Sequence, residues 1–421
     1  MTELEQLARG VLLVGFDGTS LEPQLAHRFA AEQFAGYVLF SRNMGPIREV
    51  RELTDALRSL HALAPVLAVD QEGGRVMRLR EGVEPMPPMM AIGAAGDDAL
   101  AGRAGEQVAF DLRRAGFTLD FAPVLDLARE PLSTVIGTRS FGSQVAQVVA
   151  LGRAFAAGLE RVGVTATFKH FPGHGTTAVD SHLSLPTIES DEKTLRENDL
   201  APFAQVAQSA RAFMTAHIIV RAFDRENPGT LSRKLLTDVL RGELNFRGVC
   251  FTDCMQMDAI VKTSGTAIGA LRAIAAGADC ALISHDPALA VETARAIVRG
   301  VETGELPYAR LSEAYARVKR LRERAMLPLP LEAASPHRGI GREIARRAIT
   351  LLRGAPRADA TTCIAVSFQG STAEGAQGLS EDHALLEAQA PALETHILPL
   401  APSLKDRATA IAAIIASQRR P

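Results

Sequence analysis

Short apolar runs rich in Val, Ile, Leu and Phe alternate along this chain with longer stretches in which apolar residues recur at helical spacing. The short runs are 11–16, 36–40, 66–69, 118–122, 164–169, 212–216, 248–252 and 280–284, which makes eight. Their length and near-continuous apolarity predict buried parallel strands. Between them, 47–62, 98–115, 144–161 and 266–276 carry the 3.6-residue apolar period of helices packed on one face. Eight alternations of strand and helix predict an α/β protein built as a (β/α)8 TIM barrel. A doubly wound sheet would carry a glycine-rich phosphate turn after its first strand. Here that turn is Gly15-Phe-Asp-Gly-Thr-Ser20, which lacks the G-x-G-x-x-G spacing.

Polar residues close almost every run: Arg42 and Asn43, Asp70, Asp126, Lys169 and His170, His217, Asp253, His285. In a barrel the C-terminal strand ends share one face, so these groups are expected to converge on one pocket. The barrel is expected to occupy residues 1–326 as the catalytic domain. The proline-punctuated segment 327–336 then reads as a connector. Beyond it, 337–421 reads as a small, truncated α/β domain, with helices at 341–352, 382–390 and 405–418 and strands at 362–367 and 396–400.

Composition narrows the function more than the fold. The 46 basic and 48 acidic side chains leave no field that would draw nucleic acid or an anionic membrane. Trp is absent and aromatics make up 5%, so no stacking platform for single strands is expected. The four cysteines, Cys250, Cys254, Cys280 and Cys363, are too scattered for a disulfide framework or a paired zinc site. The N-terminal residues lack the basic then apolar order of a secretory signal, and no apolar run reaches membrane-spanning length. A cytoplasmic setting is the expectation.

The chemistry concentrates in Lys169-His-Phe-Pro-Gly-His-Gly175 and the residues that follow, through Asp180 and His182. Pro172 and the glycines exclude a helix, so five polar or titratable groups sit on a loop leaving a strand. His170 and His174 are four apart, but without a helix they cannot share one face as metal ligands, and no metal or other cofactor is expected. Asp70-Gln-Glu-Gly-Gly-Arg-Val76 places carboxylates where they can accept two sugar hydroxyls; the lesser alternative is a structural turn in which Glu72 pairs with Arg75. Arg139 lies between glycines in Ile136-Gly-Thr-Arg-Ser-Phe-Gly142 and could reach inward. Asp253, directly after the run 248–252, is a candidate nucleophile, whereas Asp258 more simply starts a helix. His217 reads as a hydrogen-bonded structural histidine.

Taken in order, these motifs resemble family 3 glycoside hydrolases, specifically their β-N-acetylglucosaminidase branch. The matching text is Asp70-Gln-Glu-Gly-Gly-Arg-Val76, Asp120-Phe-Ala-Pro-Val-Leu-Asp126, Ile136 to Gly142, Lys169 to Gly175, Asp180-Ser-His182, Met214-Thr-Ala-His217 and Thr252-Asp253, across about residues 5 to 325. The resemblance implies a retaining double displacement with Asp253 as nucleophile, His182 as general acid/base and Asp180 as its orienting partner. It implies Asp70, Arg78, Arg139, Lys169 and His170 as the group holding a terminal N-acetylglucosamine, with Met214 nearby. Thr176 and Asp253-Cys-Met255 depart from residues common in the family without removing a catalytic group.

The chemistry is coherent in itself, because a histidine can donate and accept protons near neutrality and a carboxylate can fix its tautomer. The expected activity is exo-hydrolysis of β-linked N-acetylglucosamine from small glycans, with peptidoglycan-derived muropeptides the substrate the resemblance implies. Transfer of the sugar to phosphate and a non-catalytic sugar-binding barrel are the alternatives. The expected partner is a small carbohydrate, with no nucleic acid or membrane, and the sequence sets no oligomeric state.

Overall fold

The computed structural model describes residues 1–130, 133, 135–175, 185–350, 364–369 and 394–399. Eight parallel strands close a barrel: β1 (Leu12–Val14), β2 (Gly36–Leu39), β3 (Val66–Val69), β4 (Leu119–Asp120), β5 (Thr165–Phe171), β6 (Ala212–Thr215), β7 (Val249–Cys254) and β8 (Cys280–Ile283). Each pairs with its neighbours in sequence, and β1 pairs with both β2 and β8 to close the ring. All eight expected runs thus become barrel strands. The expected helices also form, among them Ile47–Ser59, Asp98–Arg114, Val145–Val162 and Thr266–Ala276.

Period-two alternation fills the barrel. Leu13, Val38, Val66, Ala68, Leu119, Phe121, Ala212, Met214, Val249, Phe251, Cys280 and Leu282 form one buried interior cluster. The intervening strand residues, such as Leu12, Leu67, Phe168 and Phe213, join the larger core beneath the helices. In β5 the inward set is polar instead: Thr165, Thr167 and, at the top, Lys169. Gly36 lets β2 and β3 close up, because a Cβ there would lie 2.0 Å from the Val66 carbonyl oxygen.

Contacts divide the chain into two compact units, Met1–Ala348 and Ile349–Pro421. The first takes in the proline-punctuated segment, tied down by Arg51 to the Leu329 carbonyl and by Ser335 to Gln107. It also takes in the helix Ile340–Arg347, whose Glu343 pairs with Arg103. In the second unit, Ile364–Gln369 and Glu394–Pro399 pair in parallel, overlapping the two expected strands. The helices expected at 382–390 and 405–418 lie outside the described residues.

Candidate functional site

Alternation also aims the reactive groups. Asp70 continues the inward register of Val66 and Ala68, Lys169 that of Thr165 and Thr167, and Asp253 that of Val249 and Phe251. All three stand at C-terminal strand ends, so they share the mouth of the barrel.

One charge network organises the β3–β5 side of that mouth. Lys169 Nζ donates to Asp70 Oδ1 at 2.7 Å and to Glu72 Oε1 at 2.6 Å. Arg139, from the short turn Gly137–Arg139, grips Glu72 with two bonds, Nε to Oε2 at 2.8 Å and Nη2 to Oε1 at 2.7 Å. Glu72 is 1% exposed. Burial opposes its charge, but Arg139 and Lys169 outweigh that and hold its carboxyl far below the usual range. Burial likewise opposes the Lys169 ammonium, and Asp70 and Glu72 overcome it, raising its pKa. The expected alternative of a Glu72–Arg75 turn is therefore corrected. Arg75 spends its guanidinium on the carbonyls of Val135 and Ile136, because the tight turn at Gly73 and Gly74, both at positive φ, sends it away from Glu72.

His170 continues the network. Its Nδ1 lies 2.6 Å from Asp126 Oδ2, which can only accept, and its Nε2 lies 3.3 Å from Arg139 Nη2, which can only donate. The geometry assigns the proton to Nδ1 and a lone pair to Nε2. Asp126 also receives the backbone N–H of His170 at 3.2 Å and of His174 at 2.6 Å. Burial disfavours its charge, yet His170 and these donors hold its pKa below the ordinary value. His174 is buried, and burial pushes its pKa down. It is bound to scaffold rather than open to the mouth.

Arg78 leaves the hairpin after β3 with its guanidinium 6.0 Å from the Phe40 ring centroid. Its buried Nε has no hydrogen-bond partner among the described residues. Met214, 3% exposed, is the top of the interior cluster on β6 and floors the mouth. Asp253, partly buried, has its Oδ1 held by the following Cys254 N–H at 2.7 Å.

Not every polar strand end turns to the pocket. Asn43 is 1% exposed and donates to the carbonyls of Phe16 and Gly18, while Arg42 holds the Phe16 and Ser284 carbonyls and pairs with Asp17. These two lash the loops after β1, β2 and β8 together. His285 is exposed and stacks on Phe40. Asp180 and His182 lie outside the described residues, as does Cys363.

Two residues central to the network take no specific role from sequence: Asp126 is expected at the pocket only as a strand-end group, and Asp120 is not singled out. Their signal was present: a carboxylate embedded in an apolar run is buried, and a buried carboxylate needs donors. Among the described residues, no three His, Cys, Asp or Glu side chains come together to hold a metal, and no helix is long and apolar enough to cross a membrane.

Comparison with known proteins places this geometry. Residues 4–321 match the family model described as glycosyl hydrolase family 3 N terminal domain. The β-hexosaminidase of Alkalilimnicola ehrlichii is 39% identical over 285 residues, 66% of this chain and 81% of that protein. Among solved structures, a family 3 β-N-acetylglucosaminidase from Paenibacillus sp. str. FPU-7 superposes with a TM-score of 0.88 at 31% identity, covering 98% of this chain and 83% of that one. NagZ from Neisseria gonorrhoeae, solved with N-trifluoroacetyl-D-glucosamine, gives 0.70 at 29% identity over 81% of this chain and 97% of its own.

Proposed function

The chain belongs to glycoside hydrolase family 3, in its β-N-acetylglucosaminidase branch, and we propose that it is an exo-acting retaining enzyme that releases terminal β-linked N-acetylglucosamine. Asp253 attacks the anomeric carbon to form a glycosyl-aspartate, which water then resolves. His182, oriented by Asp180, protonates the leaving oxygen and afterwards deprotonates the water. Asp70, Arg78, Arg139, Lys169 and His170 hold the non-reducing sugar, with Met214 beneath it. A muropeptide carrying N-acetylglucosamine is the natural substrate, handled in the cytoplasm.

The observation that carries the reading is the placement of Asp253 on the same barrel mouth as a network of fixed donors and acceptors. A sugar ring presents hydroxyls that both donate and accept. Asp70 can receive them, and Arg78 and the ammonium proton of Lys169 not spent on Asp70 and Glu72 can donate. A nucleophilic carboxylate facing such a network is poised for displacement at the bound ring's anomeric centre.

The deciding experiment is hydrolysis of aryl N-acetyl-β-glucosaminides by the purified protein and its Asp253→Ala variant. The variant is expected to lose at least about 10³-fold in kcat. Retained activity overturns the nucleophile assignment. His182→Ala is expected to lose about 10²–10⁴-fold on an alkyl leaving group and far less on dinitrophenol, and equal losses count against an acid role. Accumulation of sugar 1-phosphate in phosphate buffer would assign the chemistry to phosphorolysis instead.

A further inference from the structure

β7 loses its regular ladder at the residue proposed to act as nucleophile. On one side it pairs with β6 only as far as Phe251↔Met214. On the other, its register against β8 shifts between Phe251 and Cys254, and the Thr252 hydroxyl replaces a backbone acceptor for the Leu282 N–H at 3.0 Å. Asp253 therefore lies past the last pair with β6, while on the β8 side pairing resumes at Cys254↔Leu282, with the Met255 N–H on the Leu282 carbonyl at 2.9 Å.

A side chain fills the gap on the β6 side. His217, 1% exposed at the exit of β6, brings Nε2 to 2.9 Å from the Cys254 carbonyl oxygen. A carbonyl cannot donate, so Nε2 carries the proton. The ring is held from behind, with Nδ1 2.7 Å from Thr230 Oγ1, which in turn lies 2.7 Å from Thr215 Oγ1 and 3.1 Å from the Ala216 carbonyl. Either placement of the Thr230 proton leaves the Nε2–H on Cys254. That residue's own N–H is the one that holds Asp253 Oδ1. The line runs Thr215, Thr230, His217, the backbone of Cys254 (carbonyl on one side of its Cα, N–H on the other), and the Asp253 carboxylate.

We infer that His217 is a positioning residue for the nucleophile: where the ladder to β6 has ended, its Nε2–H fixes the Cys254 carbonyl and so aims the Asp253 carboxylate. This rests on the assignment of Asp253 as nucleophile and goes beyond a packing role for His217. Because its hydrogen bonds among the described residues go to Thr230 and Cys254 and not to Arg78 or the Lys169–Glu72–Arg139 network, its loss is expected to act on the chemical step and spare sugar binding.

The test compares His217→Ala, His217→Gln and His217→Asn in the full chain, assayed below each variant's melting temperature. The glutamine amide reaches the position of Nε2, whereas the asparagine amide reaches only that of Nδ1. His217→Ala and His217→Asn are expected to lose about 10²-fold in kcat, the scale of an ångström-size misplacement, with KM and inhibition by free N-acetylglucosamine within about threefold of wild type. His217→Gln is expected to recover most of the loss. Equal kcat in all three variants and wild type overturns the inference, as does a parallel fall in kcat and inhibitor binding that glutamine does not rescue. Trapping with a 5-fluoro glycosyl fluoride, mapped by mass spectrometry, separates the two layers. A label on a residue other than Asp253 sinks the nucleophile reading. A label on Asp253 that forms at the wild-type rate in His217→Ala sinks the positioning role alone.

Discussion

Asp120 and Asp126 stand six residues apart in one motif, both essentially without solvent exposure, yet their surroundings push them in opposite directions. Asp126 collects the His170 ring and two backbone donors, and it stays charged. Asp120 receives only the Gln71 N–H at 2.9 Å, and its Oδ2 has no hydrogen-bond partner among the described residues. Burial raises its pKa well above the ordinary value, the Gln71 N–H and Lys169 offset this in part, and Asp70 and Glu72 add to it. The folded protein then binds a proton at Asp120 that the unfolded chain releases above about pH 4, so this group lowers stability as pH rises. Asp120→Asn removes that dependence. The melting temperature of Asp120→Asn minus that of wild type should climb as pH is raised from about 4 to 7 and be flat in stronger acid. For Asp126, whose pKa is lowered, the stabilisation is present at neutral pH and fades in acid. Asp126→Asn should therefore be most damaging at neutrality, and a thermal-shift series over pH reads both trends.

The hairpin Gln71–Gly73 with Val76–Met77 shows which parts of an element are visible in a sequence. The strand before it is an apolar run, and its parity points Asp70 at the mouth; both are local facts. The partners of Glu72 are not local. Arg75 is three residues away and Arg139 is 67, and only barrel closure and the turn at Gly73 decide between them. The same limit explains Arg42 and Asn43, whose strand-end positions were legible but whose carbonyl partners lie across other loops. All eight strands could be read, then, whereas the wiring among their ends could not. Glu72→Gln tests the hairpin's function. It removes the counter-charge shared by two buried cations, a loss of about 3–5 kcal/mol for breaking a buried pair. Denaturant unfolding should show a loss of that size, and KM for the aryl glycoside should rise as Lys169 and Arg139 lose their common anchor.

At the scale of the whole molecule, the two ends of the barrel each carry a buried ion cluster, and the fold assigns them different work. At the N-terminal end of β8, Asp279 is fully buried and gathers Arg241, Arg310 at 2.6 Å and Arg317 at 3.0 Å, while its Oδ2 accepts the Cys250 N–H at 3.0 Å. These bonds knit the helix Tyr308–Glu323 and the helix Lys234–Glu243 to the starts of β7 and β8. In a barrel the catalytic groups stand at the C-terminal strand ends, and the opposite face serves stability. Asp279→Asn leaves three arginines around a neutral amide and should destabilise by about 3–5 kcal/mol, read as a lower denaturant midpoint. Assayed well below its new melting temperature, the variant should keep kcat/KM within about twofold of wild type. Glu72→Gln, which disturbs the upper cluster, should change KM at the same temperature. If Asp279→Asn instead changes KM while still folded, the two ends are coupled through the interior layers of Leu119, Phe121, Phe251 and Met214. The division of the barrel into a stabilising end and a reactive end would then fail for this chain.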